Sequence, residues 1–140
     1  DTDQLRGIVS GECYVVLSNT YYFARAIRTE VDGLSDSRDM IGWVFPNQDG
    51  TGAHMNLSGG GVAAHAPNKE NAIKFLEYLA SDQAQKYFSA GNDEYPAVPG
   101  VGLSPSVAEL GFFKPDDVAL SAVAKQIPTA QKIFNEVGWK

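Results

Sequence analysis

The feature that most restricts what this chain can become is a change of pattern between residues 13 and 30. Cys13–Ser18 is a short apolar run, too brief for a typical helix, and it gives way across Asn19 and Thr20 to a helical pattern from Tyr21 to Glu30. Asn19 and Thr20 supply the polar side chains that favour a helix start. A strand, a tight loop and a helix in that order predict an α/β class of fold.

Before it, Leu5, Ile8 and Val9 share one helical face over Thr2–Ser10, and Gly11 is placed to end the helix. After it, Asp32–Asp39 reads as loop, and Ile41–Phe45 as a second strand closed by Pro46 and the turn-forming stretch Asn47–Gly52. His54–His65 alternates polar and apolar residues around Ser58-Gly59-Gly60-Gly61, which predicts two short strands about a bend. Asn68, behind Pro67, is expected to cap a helix over residues 69–80 with Ala72, Leu76, Leu79 and Ala80 inward, and Ser81-Asp82 to start another running to Ala90. Glycine and proline between Asn92 and Pro105 forbid long regular structure there, and Thr129–Val137 is the final helix, with Ala130, Ile133, Phe134 and Val137 on its apolar face. Few strands and an opening helix with no strand before it are what a cut through a βαβ unit leaves, so the sheet is expected to be incomplete.

Composition excludes more than it assigns. The 140 residues are 44% hydrophobic and 20% charged, ordinary for a globular chain, and the net charge of −6 argues against a protein that tracks a nucleic-acid backbone. No apolar stretch approaches the roughly 20 residues that span a bilayer. The N-terminal residues from Asp1 to Arg6 lack the pattern of a signal peptide, so the start reads as mature or truncated. A single cysteine, Cys13, can form neither an internal disulfide nor a zinc site alone, and beside Tyr14-Val15-Val16-Leu17 it reads as a buried strand residue.

Tyr21 and Tyr22 are the residues with chemistry to offer. Two adjacent phenols at a strand-to-helix junction cannot both fill a core without partners for their hydroxyls. Packing residues are one reading and a polar or metal site is the other. A phenol, with a pKa of about 10, ligates at neutral pH only when a highly charged cation displaces its proton. Ferric iron is such a cation, hard and fond of anionic oxygen. Amides at the start of the following helix could hold an anionic co-ligand with help from Asn19. Competing signals fail specific tests: Gly50-Thr51-Gly52 and Gly59-Gly60-Gly61 match neither a P-loop nor GxGxxG, and His54 and His65 lack metal-site spacing. A hydrolase using Cys13 or Ser58 with a histidine remains as an alternative of another class, without a GxSxG elbow to support it.

The run Gly11-Glu12-Cys13-Tyr14-Val15-Val16-Leu17-Ser18-Asn19-Thr20-Tyr21-Tyr22 resembles the segment that carries the tandem iron-binding tyrosines of bacterial periplasmic ferric-iron-binding proteins. Gly52-Ala53-His54-Met55-Asn56-Leu57-Ser58-Gly59-Gly60-Gly61-Val62-Ala63, then His65-Ala66-Pro67-Asn68, Glu94-Tyr95-Pro96 and the ending Val137-Gly138-Trp139-Lys140 resemble later parts of the same family in the same order. The resemblance covers the chain but only the C-terminal half of the family's members. It implies part of a two-lobed type II periplasmic-binding-protein fold, of mixed sheets flanked by helices, with residues 1–51 in the second lobe, 52–101 returning to the first and 102–140 in the second again.

It also implies a role: binding Fe3+ in the periplasm and delivering it to the inner-membrane permease of an ABC importer, with no enzymatic activity. Tyr21 and Tyr22 match the tandem ligands, and Asn19 matches a position that contacts a synergistic anion, such as carbonate or phosphate, in some branches. The remaining ligands belong to the absent N-terminal half, His54 is not at a ligand position, and Tyr95 reads as structural. A binding protein of the same fold for an oxyanion or small organic ion is the runner-up. Exposed sheet edges predict association with the missing half or with a second copy.

Overall fold

A computed structural model describes residues 1–139. Six α-helices are present among them: α1 (Thr2–Val9), α2 (Thr20–Arg28), α3 (Lys69–Leu79), α4 (Asp82–Asn92), α5 (Pro105–Glu109) and α6 (Leu120–Glu136), with a 3-10 helix at Ser35–Met40. The chain divides into two compact units, one of residues 1–44 with 56–112, the other of residues 45–55 with 113–140.

In the first unit, α2 is the central element. Its buried face is Phe23, Ala24 and Ala26, and it packs on α5, α1 and the 3-10 helix. Two alanines on that face let neighbouring backbones approach closely, while Phe23 fills the remaining space against Trp43, their rings 5.3 Å apart. Leu5, Leu34, Ile41, Ala84, Val107 and Leu110 complete the core. The Trp43 indole nitrogen donates to the Leu110 carbonyl at 3.0 Å, which ties the extended segment after Ile41 to the end of α5. Helix α4 begins as expected at Ser81, whose hydroxyl accepts the Ala84 amide.

The expected strands do not form. Cys13–Ser18, Ile41–Phe45 and His54–His65 contain no strand among the described residues, and the only pairing is a single parallel bridge between Ala53 and Pro115. A strand satisfies its backbone only through a neighbour. These segments have none within this chain, so their side chains stay outside: Tyr14 is 94% exposed and Val44 90%. Cys13, expected to be buried in a strand, is half-buried in an irregular segment.

Other expectations shift by smaller amounts. Asn19 and Asn68 occupy N-cap positions, but neither side chain makes a capping hydrogen bond. On α3, Ala72, Leu76 and Leu79 are half-buried and Ala80 is exposed. Helix α6 starts at Leu120 rather than Thr129 because Pro128 lies inside it without ending it. Its apolar face is exposed, with Ile133, Phe134 and Val137 all open to solvent, since no element of its own unit covers it. The 3-10 helix and α5 were not foreseen; both are too short for periodicity to reveal.

In the second unit, the Ala53 amide donates to the Lys114 carbonyl and the Asp116 amide to the Ala53 carbonyl, each at 2.8 Å. Phe45 and Phe113 stack at 4.6 Å. Gln48 accepts the Lys114 amide at 2.7 Å and returns its own amide to the Lys114 carbonyl at 3.2 Å.

Candidate functional site

Tyr21 and Tyr22 open the first turn of α2. Their ring centroids lie 4.3 Å apart at an interplanar angle of 31°, and both side chains are half-buried. Adjacent helical residues project about 100° apart, so such proximity requires the two rings to turn toward each other instead of into the core. The core beneath them is already filled by Phe23 and Ala24. Two phenols are thereby left half-buried at the start of a helix with their rings close together.

Their electrostatics follow from that closeness. The hydrogen bond with Tyr22, and after it burial, hold the Tyr21 phenol above its ordinary range; the charges of Tyr22 and Glu94 act in the same direction, and the Arg25 guanidinium acts against them. Two neighbouring phenols can give up their protons to a cation that both oxygens bind. A trivalent metal reverses the balance, because it favours both phenolates at once.

Asn19 sits directly before the pair and is engaged on three sides. Its backbone amide and its side-chain amide both donate to one carboxylate oxygen of Asp1, each at 2.9 Å, and its side-chain oxygen accepts from Asn56 at 3.4 Å. These bonds replace the helix cap anticipated for it. They fix the entry into α2, and with it the direction in which the tyrosines leave the helix.

The remaining expected residues lie apart from this arrangement. His54 and His65 are exposed. The Tyr95 hydroxyl donates to the Gly111 carbonyl at 2.7 Å and burial raises its pKa, which suits the structural role expected of it. Among the described residues no cluster of three or more His, Cys, Asp and Glu side chains could hold a metal. No helix there is long and apolar enough to cross a membrane. Sequence reasoning missed Arg25, Arg28 and Asp93, which lie behind the tyrosines; the spacing of the two arginines from Tyr21 and Tyr22 along one helix was the available signal.

The described residues are rich in helix, and one of those helices opens with a phenol pair. Residues 8–115 match the family described as bacterial extracellular solute-binding protein, and the chain belongs to that family. It is 44% identical over 140 residues to iron uptake protein A1 of Synechocystis, covering all of this chain and 39% of that protein. It is 26% identical over 136 residues to the major ferric iron-binding protein of Neisseria meningitidis, covering 97% of this chain and 40% of that protein. Among solved structures, the Trichodesmium protein IdiA/FutA in complex with iron and citrate ligands superposes with a TM-score of 0.93 at 46% identity, over all of this chain and 44% of that one. A Bordetella ferric binding protein superposes with a TM-score of 0.85 at 41% identity, over 99% of this chain and 44% of that one.

The chain thus spans about two fifths of the length of these relatives and represents that share of a type II periplasmic-binding-protein fold. The relatives are iron-uptake and ferric-binding proteins, not enzymes, in line with the expectation of no catalysis. The expected ligand chemistry agrees with them as well: ferric iron, accompanied in the Trichodesmium complex by citrate rather than by carbonate or phosphate.

Proposed function

We propose that this chain carries the tandem-tyrosine part of a ferric-iron site, in a solute-binding protein that captures Fe3+ outside the inner membrane and hands it to the permease of an ABC importer. The observation that carries the reading is the Tyr21–Tyr22 pair, two phenols with ring centroids 4.3 Å apart at the first turn of α2. Hard anionic oxygens match a hard trivalent cation. Similarity to proteins named for iron uptake and ferric binding supports the same reading.

Asn19 is assigned a supporting role. With both its amides on Asp1, it orients the tyrosine turn, and the polar N-terminal end of α2 beside it can accept an anionic co-ligand. The citrate in the Trichodesmium complex supports an anion of the carboxylate type.

The test uses this segment joined to the complementary part of the Synechocystis relative, so that ligands outside these 140 residues are supplied. Ferric citrate should give a coloured protein through phenolate-to-iron charge transfer, with proton release on loading. Tyr21→Phe combined with Tyr22→Phe should abolish the colour. A colourless unsubstituted protein after loading would overturn the assignment.

A further inference from the structure

Helix α2 carries Tyr21, Tyr22, Arg25 and Arg28 at helical spacings of three and four, and behind them lies one carboxylate, Asp93. Its side chain is fully buried. Arg28 meets it with a two-pronged contact, Nε to Oδ1 at 2.8 Å and Nη2 to Oδ2 at 2.9 Å, and also donates to the Gly91 carbonyl at 3.1 Å. The Ser106 hydroxyl donates to Oδ1 at 2.9 Å, and the Arg25 Nε lies 4.0 Å from Oδ2. The same Arg25 guanidinium stands 5.9 Å from the centre of the Tyr22 ring.

We infer that Asp93 is a positioning residue for the tyrosine pair: through Arg28 it fixes the C-terminal end of α2, and through Arg25 it fixes the cation that lies over Tyr22. Three observations lead there. The first is the backbone. Asp93 is the C-cap of α4 with φ of 63°, a left-handed conformation for which glycine is the usual residue. An aspartate held there indicates that its side chain has a task that a plain cap does not.

The second is the choice of interaction. Burying a carboxylate is costly, and apolar packing would join α2 to α4 and α5 at least as strongly. What a carboxylate and a guanidinium add is direction, since a planar fork admits one orientation of its partner. The third is the location of the anchors. Asn19 holds the start of α2 to Asp1, and Arg28 holds its end to Asp93, so the helix is fixed at both ends with the phenols in its first turn.

This inference rests on the reading of Tyr21 and Tyr22 as ligands for its consequence, but its test needs no metal and so fails separately. In the 140-residue chain, the ring resonances of Tyr22 and the amide exchange of residues 23–28 are followed by NMR in Asp93→Asn, Asp93→Gly and Arg25→Gln. Asparagine and glycine both suit a left-handed cap, so a residue that only capped α4 would be replaced by either without effect on α2. The expected result is that both substitutions move the Tyr22 ring resonances toward their positions in Arg25→Gln, and speed exchange in α2 by about tenfold.

Gln85→Ala is the control. It removes bonds to the Leu79 carbonyl and the Ala97 amide elsewhere on α4, and is expected to lower the melting temperature while leaving α2 and Tyr22 unchanged. Unmoved Tyr22 resonances in the Asp93 variants, or equal movement in Gln85→Ala, would overturn the inference. Should neither Asp93 variant fold, Arg28→Lys keeps the charge and removes the fork; α2 exchange as slow as in the unsubstituted chain would then overturn it.

Discussion

A single carboxylate oxygen of Asp1 accepts two hydrogen bonds from Asn19, one from its backbone amide and one from its side chain, both at 2.9 Å. The residue that precedes the tyrosine pair is therefore held by the residue that caps α1. Asp1→Ala should release Asn19 and loosen the first turn of α2. Because the bonds are partly solvent-exposed, the expected stability loss is only about 1 kcal/mol. Amide exchange at Thr20–Tyr22 should rise more than at Ala26–Arg28, and NMR exchange measurements would check the gradient.

Asp93 and Arg28 should not be equivalent in a stability measurement. Arg28→Ala leaves a fully buried carboxylate with Ser106 as its close partner, and is expected to cost about 3–5 kcal/mol. Asp93→Asn leaves an arginine that is 35% exposed and can turn to water, so its cost should be smaller, about 1–3 kcal/mol. Urea unfolding of the two variants and of their combination would measure the coupling.

Gly52 is the glycine with the least room for a side chain. Its φ is 103°, and a Cβ there would lie 2.5 Å from the Pro115 carbonyl oxygen and 2.7 Å from that of Lys114. Those are backbone atoms of the Ala53–Pro115 bridge and cannot swing aside. Gly52→Ala should destabilise the chain by about 2 kcal/mol or more. Gly59→Ala meets nothing within 4 Å and should fall within about 0.5 kcal/mol of the unsubstituted chain. Thermal unfolding of both would decide.

Alkaline pH should weaken the fold through Tyr95. Burial raises its pKa, so in the pH window just above 10 the unfolded chain loses the phenol proton while the folded chain keeps it. The sign follows: the contribution is fully present below pH 10 and is lost as pH rises through the folded value. The hydroxyl must also keep its proton to donate to Gly111. Denaturant midpoints at increasing pH should fall, and Tyr95→Phe should reduce the slope.

Most of the longer helices and the doubled tyrosines were legible from sequence for the same reason: both depend on neighbours a few residues away. The apolar spacing of Leu5 and Ile8, the Ser81 cap and the doubled phenols are local signals. The strands were misread because a β-prone run such as Ile41–Phe45, or alternation such as that in His54–His65, favours an extended chain, while a strand also requires a partner. Tyr14, Val15 and Leu17 are exposed for want of one. The Asp93 carboxylate was invisible for a further reason. Its partner Arg28 is 65 residues away, and nothing in local pattern says that a polar residue in a glycine-rich stretch will be the most buried charge in its unit.

Whether Tyr21 and Tyr22 hold ferric iron as phenolates can be read directly by vibrational labelling. In the joined protein loaded with ferric citrate, tyrosines of this segment alone would carry ring deuterium, and resonance Raman spectra would be excited in the charge-transfer band. The phenolate ring modes should shift on deuteration, and Tyr21→Phe and Tyr22→Phe should each remove part of the shifted set. Phenolate modes that stay at their unlabelled frequencies would place the iron on other residues and contradict it.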